Sequence, residues 1–120
     1  MSDNEVNTQL AETITGALED GKAIDVKCME VTAVTTITDF MIIASGGSDR
    51  QVRALTERAI DAAREAGIKP LGKEGTENGE WVLVDFGDVV LHLMQPATRE
   101  FYQLEKLWEP HVVETETQSM

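Results

Sequence analysis

Four side chains of different chemistry share one face of a hairpin predicted near the C-terminal end of the chain. If residues 87–88 form a two-residue turn, Trp81 lies opposite Met94, and strand alternation puts His92 and Asp85 on the same side. Trp and Met are enriched at interface centres, so this combination indicates protein recognition rather than catalysis. The alternative is that a terminal helix covers this face and Trp81 belongs to the core.

The opposite face of the same hairpin is wholly apolar in the predicted register. Its cross-strand pairs are Val82 with Leu93, Val84 with Leu91, and Phe86 with Val89. We therefore expect this face to form the core.

The residue spacing gives little support for a metal site or a catalytic nucleophile. The two histidines are His92 and His111, and no Cys, His and Asp spacing is typical of a metal site. The single cysteine, Cys28, lies in an alternating apolar segment and is expected to be a small buried hydrophobe. We predict no metal, cofactor or catalytic residue.

The main alternative is a nucleotide-binding enzyme, because the Ser-Gly-Gly-Ser turn at 45–48 precedes a predicted helix and its backbone N–H groups could hold a phosphate. Magnesium-dependent nucleotidyl transfer needs carboxylates that converge from one strand. The nearest acids after the turn, Asp49, Glu57 and Asp61, lie on the helix. Asp85 and Asp88 are separated by the hairpin turn. The catalytic pattern is therefore missing.

The first elements are a helix and two strands. A capping box of Ser2 and Glu5 begins the helix and Gly21 ends it. Its inward stripe is Val6, Leu10, Ile14, Ala17 and Leu18. From Ala23 the period is two, with Ile24, Val26 and Cys28 on one face. The apolar run 40–44 predicts a strand covered on both sides.

The second helix follows the turn, with Ser48 as N-cap and Gln51 completing a capping box. Its predicted inward residues are Val52, Leu55, Ala59, Ala62 and Ala66. Gly67 ends it, and a short strand follows at the sheet edge because Pro70 lacks an N–H.

A last helix is predicted over 98–108. Its inward residues would be Phe101, Leu104, Leu107 and Trp108, and its outward residues Arg99, Glu100, Glu105 and Lys106. The order α-β-β-α-β-β-β-α predicts a single α/β domain over 1–108, with helices on a mixed five-stranded sheet. Residues 109–120 are expected to be a disordered acidic tail.

Composition sets the class of partner. The 120 residues include 10 basic and 22 acidic side chains, a formal net charge of -12, which argues against extensive contact with nucleic-acid phosphates. No apolar run approaches the about 20 residues that span a bilayer. Without a signal or transit peptide, we expect a cytoplasmic protein that does not enter membranes.

Several sequence blocks occur in a distinctive order: TDFMIIASG at 38–46 with Ser48 and Gln51, EG at 74–75, WVLVD at 81–85, GDVVLH at 87–92 and REFYQLEKLW at 99–108. Together they resemble the Iojap family of ribosomal silencing factors. The match covers nearly all of 25–108 and is specific through the order and spacing of its blocks. The predicted strand order is also similar to that of the nucleotidyltransferase fold, but the sequence lacks that fold's catalytic acids.

The resemblance also implies a function. Such a factor would bind the large ribosomal subunit on the ribosomal protein numbered fourteen and block small-subunit joining by steric exclusion, repressing translation when nutrients are short. The predicted contact residues are Trp81, Asp85, His92, Met94, Glu74, Arg99 and Tyr102. A homodimer that pairs its hairpin faces is an alternative use of the same surface.

Overall fold

Three helices and five strands make up the computed structural model, which describes residues 3–32, 35, 38–103 and 106. The elements are α1 (Asp3–Asp20), β1 (Ile24–Glu30), β2 (Phe40–Ser45), α2 (Asp49–Glu65), β3 (Gly72–Glu74), β4 (Trp81–Asp85), β5 (Val89–Met94) and α3 (Pro96–Tyr102). The predicted order of elements and the single mixed α/β domain are confirmed.

The strands form one sheet in the order β1-β2-β5-β4-β3. Only β2 and β5 run parallel, and the other neighbouring pairs are antiparallel. Every residue of β2 is buried, which explains its continuous apolar run. The short strand β3 lies at one edge, as predicted from the proline before it.

The hairpin of β4 and β5 has the predicted register. Trp81 pairs with Met94, Leu83 with His92, and Asp85 with Val90. The Phe86 N–H donates to the Val89 carbonyl and closes the turn. The two faces of the hairpin therefore divide as the alternation of residue types predicted.

The first face of the sheet, defined as the side that carries Val82, Val84, Leu91 and Leu93, packs against α1 and α2 and forms the main core. The buried helical residues include Leu10, Ala11, Ile14 and Leu18 from α1 and Val52, Leu55, Thr56, Ala59, Ile60 and Ala63 from α2. Ala62 is only half-buried and Ala66 is exposed, so their predicted inward positions are wrong. Ile60 and Ala63 lie there instead.

Strand β1 departs from simple alternation. A β-bulge lies between Ile24 and Lys27, and Asp25 has a positive φ of 50°. The inserted residue puts Ile24 on the side opposite to Cys28, so the predicted grouping of these two residues is wrong. Cys28 itself is exposed on this edge strand rather than buried. Desolvation by its neighbours nevertheless raises the pKa of the thiol, so it is not an activated nucleophile.

The helix ends follow the predicted signals with one change. The Gly21 N–H donates to the Ala17 carbonyl where α1 ends, and Ser48 Oγ accepts from the Gln51 N–H at 3.1 Å. The Gln51 side chain accepts from Gly47 rather than from Ser48. The predicted cap of Ser2 and Glu5 lies outside the described side chains.

Helix α3 differs most from its prediction. It begins two residues earlier, with Pro96 in its first turn, and Phe101 is exposed while Arg99 is buried. Both orientations are the reverse of those expected. The other predicted inward residues, Leu104, Leu107 and Trp108, and the predicted tail at 109–120 lie outside the described residues. Among the described helices, none is long and apolar enough to cross a membrane.

Candidate functional site

The second face of the sheet is the side that carries Trp81, Leu83 and Asp85 of β4. Met94, their neighbour on β5, is fully buried in a small second cluster of Val31, Met41, Ile43 and Met94. The expectation that Met94 is an exposed anchor is therefore wrong, because neighbouring strands and the segment after β1 enclose it. Trp81 packs against this cluster but stays half-exposed.

Trp81 is held by two contacts. Its indole Nε1–H donates to Nδ1 of His92 at 3.0 Å, and its ring lies 4.8 Å from the ring of Tyr102. The indole N–H is therefore already used inside the protein. What Trp81 offers outward is an apolar ring in a fixed orientation, which lowers the entropy cost of binding.

His92 supports this arrangement from below. It is buried, and burial lowers the pKa of its imidazole to about 4. The imidazole is neutral near pH 7, which leaves Nδ1 able to accept the indole hydrogen. His92 acts here by positioning Trp81 rather than by presenting a polar group to solvent.

An aromatic patch, defined as Trp81, Tyr102 and Phe101, extends from the sheet onto α3. Tyr102 and Phe101 contact edge to face, with ring centroids 4.9 Å apart. The two side chains are 52% and 79% exposed. Exposed aromatic rings grouped in this way are typical of a binding surface.

A shallow cavity of about 270 Å³ adjoins the patch on the side of β3. It is lined by Glu74, Gly75, Trp81 and Leu83. Gly75 has a φ of 87°, and a Cβ there would collide with the Trp81 backbone carbonyl. A glycine is thus required where the loop passes closely under Trp81. The structure places Glu74, one of the predicted contact residues, beside Trp81 in this cavity.

Asp85 lies half-buried at the far end of the same face. Its Oδ1 accepts from the Gly87 N–H at 2.8 Å, so the carboxylate also stabilises the hairpin turn. Together with Glu74, it makes the surroundings of Trp81 and Leu83 acidic. This favours a partner with basic groups around an apolar centre.

Arg99 is the predicted site residue that faces away from the aromatic patch. Its guanidinium lies 3.5 Å from the Asp25 carboxylate, and it donates to Ser45 Oγ at 3.2 Å. These contacts join α3 to the ends of β1 and β2. The sequence expectation of an outward Arg99 assumed that helical spacing alone decides orientation.

Phe101 lies in the aromatic patch and Leu83 lines the adjoining cavity, but neither was among the predicted contact residues. Leu83 was on the correct face by alternation and could have been included on that ground. Phe101 was assigned to the core because the helix was expected to continue to Trp108. No local signal in the sequence distinguishes its exposed position.

The turn at 45–48 is occupied by the protein's own contacts. The Gly47 N–H donates to Gln51 Oε1, and a Cβ at Gly46 would press on Val52. This turn therefore closes tightly onto α2. Within the described residues, no three His, Cys, Asp or Glu side chains form a group able to hold a metal ion.

Comparison with known proteins identifies relatives over most of the chain. The family model described as "Ribosomal silencing factor during starvation" matches residues 4–120. The protein "Ribosomal silencing factor RsfS" of Chromobacterium violaceum is 48% identical over 92 residues, covering 77% of this chain and 75% of that protein. The mouse protein "Mitochondrial assembly of ribosomal large subunit protein 1" is 35% identical over 100 residues, covering 81% of this chain and 44% of its own length.

The fold agrees with this relationship. A crystal structure of a Chromobacterium violaceum protein superposes with a TM-score of 0.82 at 44% identity, covering 84% of each chain. The family match, the relatives and the shared fold confirm the resemblance found in the sequence blocks. The chain belongs to the family of ribosomal silencing factors.

Proposed function

We propose that this protein binds the large ribosomal subunit through the second face of its sheet and blocks small-subunit joining. The partner would be the ribosomal protein numbered fourteen, as the resemblance implies. A relative's name refers to assembly of the ribosomal large subunit, which supports the choice of subunit. The mechanism is steric, because a folded domain seated at the joining surface excludes the other subunit without catalysis.

The observation that carries this proposal is the aromatic patch beside two acidic residues, Glu74 and Asp85. Trp81 offers a pre-positioned apolar ring, and Tyr102 extends it. Glu74 lines the adjoining cavity, and Asp85 lies on the same face. A formal net charge of -12 favours a basic protein surface and disfavours extensive contact with ribosomal RNA.

Four of the predicted contact residues form the proposed surface, and three support it. Trp81, Tyr102, Glu74 and Asp85 are at least partly accessible, whereas His92, Met94 and Arg99 are buried. His92 and Met94 hold the indole from beneath, and Arg99 fixes the start of α3. Substituting the buried residues would change binding through the orientation of the ring.

The rest of the proposal follows from the mode of action. A factor that acts by occupying the large subunit works where ribosomes are present, and we propose that it acts in the cytoplasm. It would lower protein synthesis during nutrient limitation. It needs no cofactor and has no enzymatic activity. A second copy of the chain on the same patch would compete with the ribosome.

The test is Trp81→Ala, which should weaken binding to purified large subunits by about 2 kcal/mol or more. Binding is measured by co-sedimentation through a sucrose cushion and by calorimetry with the isolated ribosomal protein. The matched control is Leu71→Ala, since Leu71 is also apolar and 75% exposed but lies outside the patch. It should bind as the wild type does.

Circular dichroism separates a docking role from a core role. Equal loss of helical signal and of binding in Trp81→Ala would show that the ring mainly stabilises the fold. Failure of the wild-type protein to migrate with large subunits, or to inhibit subunit joining in a purified translation system, would refute the proposal.

A further inference from the structure

We propose that a crevice on the side of α3 away from the aromatic patch binds a small oxyanion, either a phosphate or a carboxylate group. The crevice has a volume of about 410 Å³, which lies within the usual range for small-molecule sites. It is lined by Ile24, Asp25, Lys27, Ser45, Pro96, Arg99, Glu100, Gln103 and Lys106. This site goes beyond ribosome docking, and its described lining residues include none of the aromatic patch.

Its position follows from the topology of the sheet. Strands β2 and β5 are parallel neighbours, and both end at the crevice, where Ser45 and Pro96 lie. Helix α2 leaves towards the first face, while α3 leaves towards the second, where Tyr102 meets Trp81. In many α/β proteins, ligands bind at the carboxyl ends of adjacent parallel strands whose following helices leave towards opposite faces of the sheet.

The charges in the crevice differ from those of the whole chain. Among the described lining residues, Lys27, Arg99 and Lys106 outnumber Asp25 and Glu100, a positive balance in a protein whose formal charge is -12. The Arg99 side chain is only 8% exposed, and its planar guanidinium is suited to phosphate and carboxylate oxygens. Reduced access to water strengthens such a contact.

The Asp25 carboxylate is itself an oxyanion and already lies near the Arg99 guanidinium. Its Oδ2 lies 3.5 Å from Nη2 of Arg99, longer than the usual distance for a charge-assisted hydrogen bond, while the side chain is 62% exposed. Asp25 reaches this position through the β-bulge and a left-handed backbone conformation. Both features are enriched beside functional sites. A ligand oxyanion would compete with the Asp25 carboxylate for the same group.

This competition gives a directional test. Asp25→Asn removes the competing charge, and Asn tolerates the left-handed conformation that this position requires. The variant should bind inorganic phosphate or acetate about threefold more tightly or better, whereas Lys27→Ala should weaken binding by about threefold. The matched control is Lys73→Ala, which removes the same charge from an exposed pair with Glu57 outside the crevice.

The measurement is an amide NMR titration of the full-length isotope-labelled protein with phosphate and, separately, with acetate at constant ionic strength. Saturable shifts at Lys27, Ser45 and Gln103 with one anion identify the ligand chemistry as phosphate or carboxylate. Absence of saturation with both anions up to about 10 mM would overturn the proposal. So would equal weakening by Lys27→Ala and Lys73→Ala, because that result shows only general charge attraction.

This outcome is independent of ribosome docking. The titration uses the free protein, so a positive result stands even if the protein fails to bind large subunits. A negative result likewise leaves the Trp81→Ala comparison unaffected.

Discussion

The two faces of the central hairpin come from alternate residues of the same two strands, yet they reach different environments. On the first face, Val82, Val84 and Leu91 are completely buried under α1 and α2. On the second, Trp81 and Leu83 stay half-exposed above a smaller cluster around Met94. Among the described elements, two long helices cover one face, and the short helix α3 partly closes the other.

This difference separates the face that stabilises the fold from the face that we propose for docking. Apolar area that is completely removed from water stabilises the fold, while a half-exposed ring over a rigid base keeps apolar area available for a partner. The hairpin can therefore combine a core face with the proposed docking face because side chains alternate across it. Substitutions on the two faces should have different consequences.

The largest effect is expected for Leu91→Ala on the first face. Because Leu91 is fully buried between the sheet and the helices, truncation should lower the free energy of unfolding by about 4 kcal/mol. The matched variant on the second face is Leu83→Ala, with an expected loss of about 1 kcal/mol since this side chain is already half-exposed. Urea denaturation measures both, and equal losses would contradict the contrast between the faces.

Lowering the pH should destabilise the fold through His92 on the second face. Burial lowers the pKa of His92 from 6.5 to about 4, so the unfolded chain takes up this proton first as the pH falls. The stability associated with the neutral, buried imidazole is fully present above pH 6.5. Between pH 6.5 and pH 4, the free energy of unfolding should fall by about 3 kcal/mol. Urea denaturation at pH values across this window measures the loss.

Carboxylates also titrate near the acidic end, so His92→Gln is the control. It keeps a neutral hydrogen-bond acceptor without a titrating imidazole. The pH dependence of the wild type should exceed that of the variant by about the stated amount. Superimposable profiles would show that the imidazole is not desolvated in the folded protein.

The smallest effect concerns a helix on the first face. Ser48→Ala removes the oxygen that accepts from the Gln51 N–H, and the stability should fall by about 1 kcal/mol. Ribosome binding should stay unchanged, since the cap lies apart from the aromatic patch. Ser48→Asp, which restores a capping oxygen, should recover the lost stability, and thermal unfolding measures both variants. If ribosome binding fell together with stability, the two faces would not be separable.

Much of the architecture could be predicted because it depends on local patterns. The period of two across residues 81–94 predicted which residues share each face of the hairpin, and the apolar run in β2 identified an interior strand. Ser48 and Gly21 marked helix ends through backbone hydrogen bonds that form between near neighbours. Such signals need little knowledge of the rest of the chain.

Tertiary structure decided which polar and aromatic side chains are accessible. Arg99 turns inward because the bulge in β1 brings Asp25 towards it and β2 supplies Ser45, contacts that span more than 50 residues. Met94 is buried in a cluster with Val31, Met41 and Ile43, whereas Phe101 is exposed to solvent. The sequence by itself determined the order of elements, the hairpin register and the family. These depend on alternation, turn residues and ordered motifs, which involve residues close together in the chain. The burial of a given side chain depends on what packs over it from distant parts of the chain, so it could be settled only in three dimensions.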